Sequence, residues 1–136
     1  MNGANYLRWD CDKSGCFNKV KRPKIEQFNG CFPRNCNFGD VDGLVELAGA
    51  FCLLEWKSDG GALRYGQQRA LEAFVRLHQK NVAFVVDGDA QNMKVDAFRI
   101  LRRDGNGGVT WTSTGNTSFD DLRTRIARWA TWVEGP

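Results

Sequence analysis

Asp42, Glu55 and Lys57 are the residues best able to do chemistry in a largely apolar stretch of this chain, residues 38 to 57. Asp42 precedes one apolar run, and Glu55 and Lys57 end the next. Side chains alternate between the two faces of a strand, so Glu55 and Lys57 should share a face, about 7 Å apart, while Trp56 points to the other. Ionised groups at the end of an apolar strand need an ion pair, water or a metal ion to be tolerated.

The same residues have the chemistry of a metal-dependent hydrolase. Asp42, Glu55 and the backbone carbonyl of Trp56 offer the hard oxygen atoms that Mg²⁺ or Mn²⁺ prefers. Such an ion keeps coordination positions for water and a phosphate oxygen. Lys57 would orient or deprotonate the attacking water and offset developing phosphate charge. A purely structural ion pair between two strands is the alternative explanation.

A β-hairpin and the helix after it must position these groups. The apolar runs at residues 43 to 47 and 51 to 57 flank a break containing Gly49, which predicts two antiparallel strands joined by a short turn. Residues 65 to 80 predict a helix with one apolar stripe. Gln67 lies in its first turn, where it could hydrogen-bond the attacking water or a phosphate. Gln68, one residue further on, is the alternative.

The second half of the chain predicts the rest of an α/β fold. Residues 82 to 86 read as a central strand, and residues 95 to 102 as an edge-like strand that forms a terminal hairpin with residues 109 to 113. Ser118 should cap the last helix, whose predicted buried stripe is Phe119, Leu122, Ile126, Trp129 and Val133. Other faces of that helix carry residues able to contact a nucleic-acid backbone: Arg123, Arg125, Arg128 and Trp132. The order of elements predicts a mixed central β-sheet flanked by helices.

Residues 38 to 90 resemble the core of the PD-(D/E)XK nuclease superfamily, especially its small VRR-NUC and Holliday-junction-resolvase-like members, many of them carried by phages. The resemblance rests on Gly39-x-x-Asp42, an apolar strand, Glu55-x-Lys57 and a glutamine at the next helix start. Val41 stands where the superfamily's name has proline. The resemblance implies a restriction-endonuclease-like fold and a Mg²⁺-dependent deoxyribonuclease, with Asp42, Glu55, Lys57 and Gln67 as catalytic residues. It also implies DNA as the partner, with a junction, flap or end as the preferred structure.

Glu26 is a further candidate for the active site. Families of this fold often place another acid on a helix before the Asp strand, and Glu26 is the only carboxylate between Asp12 and Asp40. We therefore expect it to bind the metal or the water, with a plain surface acid as the alternative. Asp40 is a second candidate, because it would share a strand face with Asp42 and support the metal indirectly.

Four cysteines in the N-terminal segment, residues 1 to 37, form two Cys-x4-Cys pairs. Two thiol pairs separated by a loop are the general plan of a structural zinc site, although a spacing of two residues is more usual. An iron–sulfur cluster and unmetallated thiols remain open alternatives, while disulfides are not expected in a cytosolic protein. The residues concerned are Cys11, Cys16, Cys31 and Cys36.

Length and composition are those of one ordinary globular domain, residues 1 to 136. The 136 residues are 42% hydrophobic and 26% charged, with a formal net charge of +3. No segment approaches the ~20 apolar residues of a membrane span, and the N-terminus lacks signal-peptide features, so we expect no membrane association and a cytoplasmic location in a bacterial host or phage-infected cell. The single histidine, His78, excludes a site that needs two.

Two rival functions fit the same sequence. One is a catalytically inert nucleic-acid-binding module, and the other is a phage protein-interaction or inhibitory factor. A homodimer is an expected arrangement for a junction resolvase, because a junction requires two symmetric cuts. Metal binding separates the hydrolase from both rivals.

Overall fold

The computed structural model describes residues 23–58 and 60–135. They fall into two compact units, with the boundary between Gly39 and Asp40. The second unit is a mixed α/β structure with a five-stranded sheet in the order β1-β2-β3-β4-β5 and two α-helices. The coarse α/β prediction is therefore confirmed.

The predicted hairpin is confirmed. Strand β1, Gly43–Leu47, pairs antiparallel with strand β2, Ala50–Lys57. Ala48 and Gly49 join them with φ angles of 49° and 86°. Positive φ at both turn residues matches the right-handed twist of the strands, and the Gly49 amide is further held by a hydrogen bond to Oε2 of Glu46 at 2.7 Å.

A helical crossover connects β2 to the middle of the sheet. Helix α1, Tyr65–Arg76, follows β2, and strand β3, Val82–Asp89, then pairs with β2 in parallel. The helix ends four residues before the predicted end at residue 80, because the chain turns there, with Nδ1 of His78 accepting from the Lys80 amide at 2.9 Å. The single histidine thus has a structural hydrogen bond at this turn.

The C-terminal hairpin completes the sheet. Strand β4, Lys94–Arg103, lies between β3 and β5, Val109–Ser113, so the expectation that β4 is an edge strand is wrong. Alternation of polar and apolar residues cannot by itself distinguish an edge strand from an inner strand. Strand β3 extends to Asp89 through a bulge at Gly88, where an added Cβ would lie 1.9 Å from the Lys94 carbonyl oxygen. Only glycine fits there.

One helix covers each face of the sheet. Helix α2, Phe119–Glu134, begins where the Ser118 hydroxyl accepts from the Asp121 amide, as predicted. It packs on a cluster that includes Cys52, Phe84 and Phe98. Helix α1 packs on the opposite face, where the buried residues are Leu53, Leu71, Val75, Ala83, Val85 and Leu101. Phe119 is exposed at the end of the predicted stripe, because the sheet lies under the later turns of α2.

The described part of the first unit is small. Residues Ile25–Phe28 form a 3₁₀ helix, and Phe38 makes edge-to-face contacts with both Phe28 and Phe32. Elsewhere, Cys52 is a buried core residue, and burial raises the pKa of its thiol to about 12. None of the described helices is long and apolar enough to cross a membrane.

Candidate active site

Asp42 closes the open end of the β1–β2 hairpin. Its amide donates to the Leu54 carbonyl at 3.2 Å, and its Oδ2 accepts from the Trp56 amide at 2.6 Å. Strand β1 starts only at Gly43, so neither Asp40 nor Asp42 lies within the strand on which they were expected to share a face. The Asp42 carboxylate replaces the next acceptor of the ladder, which fixes it beside the last residues of β2.

The backbone of Trp56 points toward Asp42. The N–H and C=O of a strand residue are directed to the same edge, so the Trp56 carbonyl faces the side on which β1 has ended. The Trp56 indole lies on the other sheet face, against the cluster under α2. Among the described residues, its buried Nε1 has no hydrogen-bond partner. The carbonyl predicted as a metal ligand is therefore directed to the same edge as Asp42.

Glu55 is a buried acid, with only 8% of its surface exposed. Burial raises the pKa of its carboxyl, because the charged form loses hydration, and the negative charge of Asp42 raises it further. Lys57 acts in the opposite direction, and Asp40 adds a smaller repulsion. Asp42 and Glu55 are thus close enough to repel one another, as two ligands of one cation must be.

Lys57 links the strand to helix α1. Its Nζ lies 3.8 Å from Oε1 of Glu55 and donates to Oε1 of Gln67 at 2.9 Å. The same Gln67 oxygen accepts from the Arg64 amide at 3.3 Å, which anchors it at the start of the helix. Gln68 is exposed and contacts Glu72 instead, at 3.5 Å. The structure therefore brings Gln67, rather than Gln68, to Glu55 and Lys57.

No protein-family model, curated protein or solved structure has a significant match to this chain. The case for a site consequently rests on its own geometry. Four side chains that the sequence singled out converge where β2, the hairpin end and the start of α1 meet: Asp42, Glu55, Lys57 and Gln67.

The donor set fits a Mg²⁺ or Mn²⁺ ion. Two carboxylates, from Asp42 and Glu55, and the Trp56 carbonyl are hard oxygen ligands. A dication would offset both the loss of hydration and the Asp42 repulsion that raise the Glu55 pKa. Within residues 23–58 and 60–135, no three side chains of His, Cys, Asp or Glu group closely enough to hold a metal. The proposed set contains only two such side chains, and water would complete its coordination.

A second layer of contacts supports the loop after Lys57. Arg99, on β4, donates from Nη2 to the Gly61 carbonyl, and its guanidinium lies 5.0 Å from the centre of the Trp111 ring. The Trp111 indole N–H in turn donates to Oε2 of Glu72 on α1 at 2.8 Å. The sequence analysis did not predict this series of contacts from Gly61 through Arg99 and Trp111 to Glu72. A useful signal was present, because an arginine and a tryptophan on paired strands can meet diagonally.

Asp87 is a further acid that the register brings to this region. It pairs with Lys57 in the parallel β2–β3 ladder and is half-buried on the face of the sheet under α1. The described residues show no ion pair between Asp87 and Lys57. Asp87 lies within β3, one residue beyond the predicted end of that strand at residue 86.

The other predicted site residues are placed only in part. Glu26 lies in the 3₁₀ helix of the first unit, so its predicted role stays a prediction. Cys31 and Cys36 are exposed free thiols, and Cys11 and Cys16 lie outside the described residues. The structural zinc site therefore also stays a prediction.

Proposed function

We propose that this protein is a metal-dependent deoxyribonuclease that hydrolyses DNA phosphodiester bonds, with a restriction-endonuclease-like fold of the PD-(D/E)XK type. The observation that carries the proposal is the convergence of Asp42, a buried Glu55 and Lys57 on one hairpin end, with Gln67 holding the Lys57 ammonium at 2.9 Å. The resemblance in sequence and the parallel β2–α1–β3 crossover support the same assignment. Its place of action is the cytoplasm of a bacterial or phage-infected cell.

The presence of two acids near one lysine favours this function over a structural ion pair. An ion pair that only stabilised the hairpin would place one acid opposite one base. Here two acids, Asp42 and Glu55, lie near the single Lys57, and Asp42 adds to the cost of ionising Glu55. Such a cost is typical of a site that awaits a cation.

Each residue has a distinct role in the proposed hydrolysis. Asp42, Glu55 and the Trp56 carbonyl would hold a Mg²⁺ or Mn²⁺ ion, which would supply Lewis-acid activation of the phosphate. Lys57 donates a hydrogen bond to the attacking water or to a non-bridging phosphate oxygen, and its charge offsets the charge that develops in the transition state. Gln67 fixes the direction in which Lys57 donates. The oxygen of the attacking water bonds to phosphorus as the opposite P–O bond breaks; the water gives up a proton to solvent, and the leaving oxygen takes a proton from solvent.

Cleavage of labelled DNA tests this proposal directly. Linear, nicked, flapped and four-way DNA are incubated with Mg²⁺ or Mn²⁺ and with the wild type, Glu55→Gln or Lys57→Ala. Glu46→Gln and Lys94→Ala are matched controls: Glu46 lies on the same hairpin at the turn, and Lys94 is an exposed lysine 3.7 Å from Asp96. We expect both control variants to cut like the wild type and both site variants to lose at least about 100-fold.

The proposal fails if the purified wild type cuts none of the four substrates with either metal. It also fails if Glu55→Gln and Lys57→Ala cut as fast as their controls. If the wild type cuts, the favoured DNA form and the product ends distinguish a junction, flap or end nuclease.

A further inference from the structure

A cleft of about 290 Å³ lies on the face of the sheet opposite Glu55 and Lys57, beside helix α2. Its apolar floor is formed by buried side chains of β3 and β4 and by Trp129. The rim carries three arginines and one exposed tryptophan. The lining residues are Val82, Phe84, Ile100, Arg102, Arg125, Arg128, Trp129 and Trp132.

All the charged residues that line this cleft are positive. Its lining contains Arg102, Arg125 and Arg128 but no acidic residue. Within the described residues, none of these guanidiniums forms an ion pair with a carboxylate. Lys80 adds a fourth cation nearby, because its ammonium lies 5.3 Å from the centre of the Trp132 ring. Unpaired cations around one concave surface favour an anionic ligand.

The spacing along α2 explains why the arginines and the tryptophan share one side. Arg125, Arg128 and Trp132 are three and four residues apart, which places them on one face of a helix. The buried Trp129 lies on the same face, where its indole N–H donates to the Lys80 carbonyl at 2.7 Å. The floor is therefore held in place by a hydrogen bond between α2 and the start of β3.

Trp132 offers an aromatic surface beside these charges. It is 45% exposed, and the Lys80 ammonium donates to its carbonyl oxygen at 3.3 Å. An exposed aromatic ring among arginines is the combination by which proteins hold single strands, since phosphates meet the cations and a base stacks on the ring. A polyanion without bases would use only the arginines.

We propose that this cleft binds a segment of single-stranded DNA, with phosphates on Arg102, Arg125 and Arg128 and a base stacked on Trp132. The inference rests on the proposed function in taking DNA as the partner, and it adds a second contact surface. Val82 in the cleft floor and Asp87 beside Lys57 mark opposite ends of β3, so the two surfaces are about 17 Å apart along the strand, on opposite faces. The cleft therefore holds the strand and takes no part in the cleavage step.

The test measures binding without cleavage. Anisotropy of a labelled oligothymidine of about ten nucleotides is followed without divalent metal, over a range of salt concentrations. The variants are Arg125→Ala with Arg128→Ala, Trp132→Ala and Trp132→Phe. Arg123→Ala is the matched control, because Arg123 is exposed on the same helix but does not line the cleft.

We expect the double arginine variant to bind more weakly and to lower the salt slope by about 1.4, or about 0.7 for each lost phosphate contact. Trp132→Ala should weaken binding by about five- to a hundredfold, while Trp132→Phe retains most of the affinity. An oligomer with abasic sugars should bind more weakly than oligothymidine and should not respond to Trp132→Ala. Arg123→Ala should leave the affinity near that of the wild type.

The inference is overturned if Arg123→Ala raises the binding free energy by half as much as the double arginine variant does, since equal losses per arginine indicate a diffuse charge effect. It is also overturned if Trp132→Ala binds normally while folded, or if polyglutamate competes as well as unlabelled oligothymidine. Failure here is distinct from failure of the proposed nuclease. If cleavage depends on Glu55 but the cleft variants bind DNA normally, only the cleft proposal is wrong. If strand binding depends on the cleft but no DNA is cut, only the nuclease proposal is wrong.

Discussion

The Lys57 ammonium donates to Oε1 of Gln67 at 2.9 Å, so one hydrogen bond joins the end of β2 to the first turn of α1. The same oxygen accepts from the Arg64 amide. Gln67 thereby sets where the Lys57 charge lies relative to Glu55. Gln67 therefore positions the lysine, while Lys57 itself would contact the reacting groups.

Gln67→Leu should lower the rate of DNA cleavage without unfolding the protein. Lys57 loses its fixed acceptor, and a misplacement of about 1 Å at a reacting group costs up to about 100-fold in rate. We expect kcat to fall about 10- to 100-fold with little change in KM, measured by steady-state cleavage. The matched control is Gln68→Leu, since Gln68 is exposed and points to Glu72. Equal losses in the two variants would show that Gln67 has no special role.

Glu55→Gln should stabilise the metal-free protein at neutral pH. Burial and the charge of Asp42 raise the Glu55 pKa, so Glu55 contributes its full stability below the unfolded pKa and loses that contribution as the pH rises through the folded one. Glutamine carries no charge and avoids this loss. We expect Tm to exceed that of the wild type by a few degrees at pH 7, since ~1 kcal/mol shifts Tm by about 4–8 °C in a small domain.

The Tm difference between Glu55→Gln and the wild type should shrink as the pH is lowered below the normal range of a glutamate. A difference that is constant from acid to neutral pH would contradict the assignment of the effect to Glu55 ionisation. Glu46→Gln is the control, because Glu46 is exposed at the hairpin turn. Adding Mg²⁺ should raise the Tm of the wild type more than that of Glu55→Gln, because the bound ion requires the ionised carboxylate.

Asp42→Asn and Asp42→Ala should separate the structural and metal-binding roles of this residue. Asparagine keeps an oxygen that can accept from the Trp56 amide but removes the charge. We expect Asn to preserve stability within about 0.5 kcal/mol and Ala to cost about 1 kcal/mol by chemical denaturation. Both should lose stabilisation by Mg²⁺. Undiminished stabilisation in Asp42→Asn would remove Asp42 from the metal site.

Asn81→Ala should destabilise the protein strongly although it touches no reacting group. Asn81 is buried, its Oδ1 accepts from the Phe51 amide at 2.9 Å, and its Nδ2 donates to the Phe74 carbonyl at 2.9 Å. Truncation leaves both backbone groups unpaired, at a cost of about 2–4 kcal/mol in the free energy of unfolding. Asn81→Asp keeps the acceptor but loses the donor to Phe74 and buries a carboxylate that has no cation partner, so denaturation at pH 7 should show a loss at least as large as that of Ala. A loss below about 0.5 kcal/mol for Ala would show that water replaces these bonds.

Asn81 and Gln67 illustrate what sequence could and could not predict. The hairpin, the crossover helix and the Ser118 cap follow from local patterns of two, three or four residues, and the structure confirms them. Gln67 was a predicted candidate because a helix start has a recognisable position. Asn81 gave no signal, because a polar residue before a strand usually marks a turn, and its partners Phe74 and Phe51 precede it by 7 and 30 residues.

The sequence analysis did not predict the side-chain contacts between neighbouring strands of the sheet. Strand β4 is an inner strand because β5 pairs along its outer edge, and Arg99 contacts Trp111 because of the register between β4 and β5. Neither is fixed by periodicity within one strand. The arginines of α2 were predicted as nucleic-acid contacts, but the cleft needs Arg102 from β4, which only the sheet brings to Arg125 and Arg128.

The residues of the proposed site in the second unit all lie between Asp42 and Gln67, within one hairpin and the helix start that follows it. Little chain entropy is lost in closing such short loops, so this region can form early during folding. The cleft, in contrast, joins Val82 and Arg102 to the last helix and needs nearly the whole unit. During synthesis, the region that would hold a metal is therefore made before the surface that would hold a DNA strand.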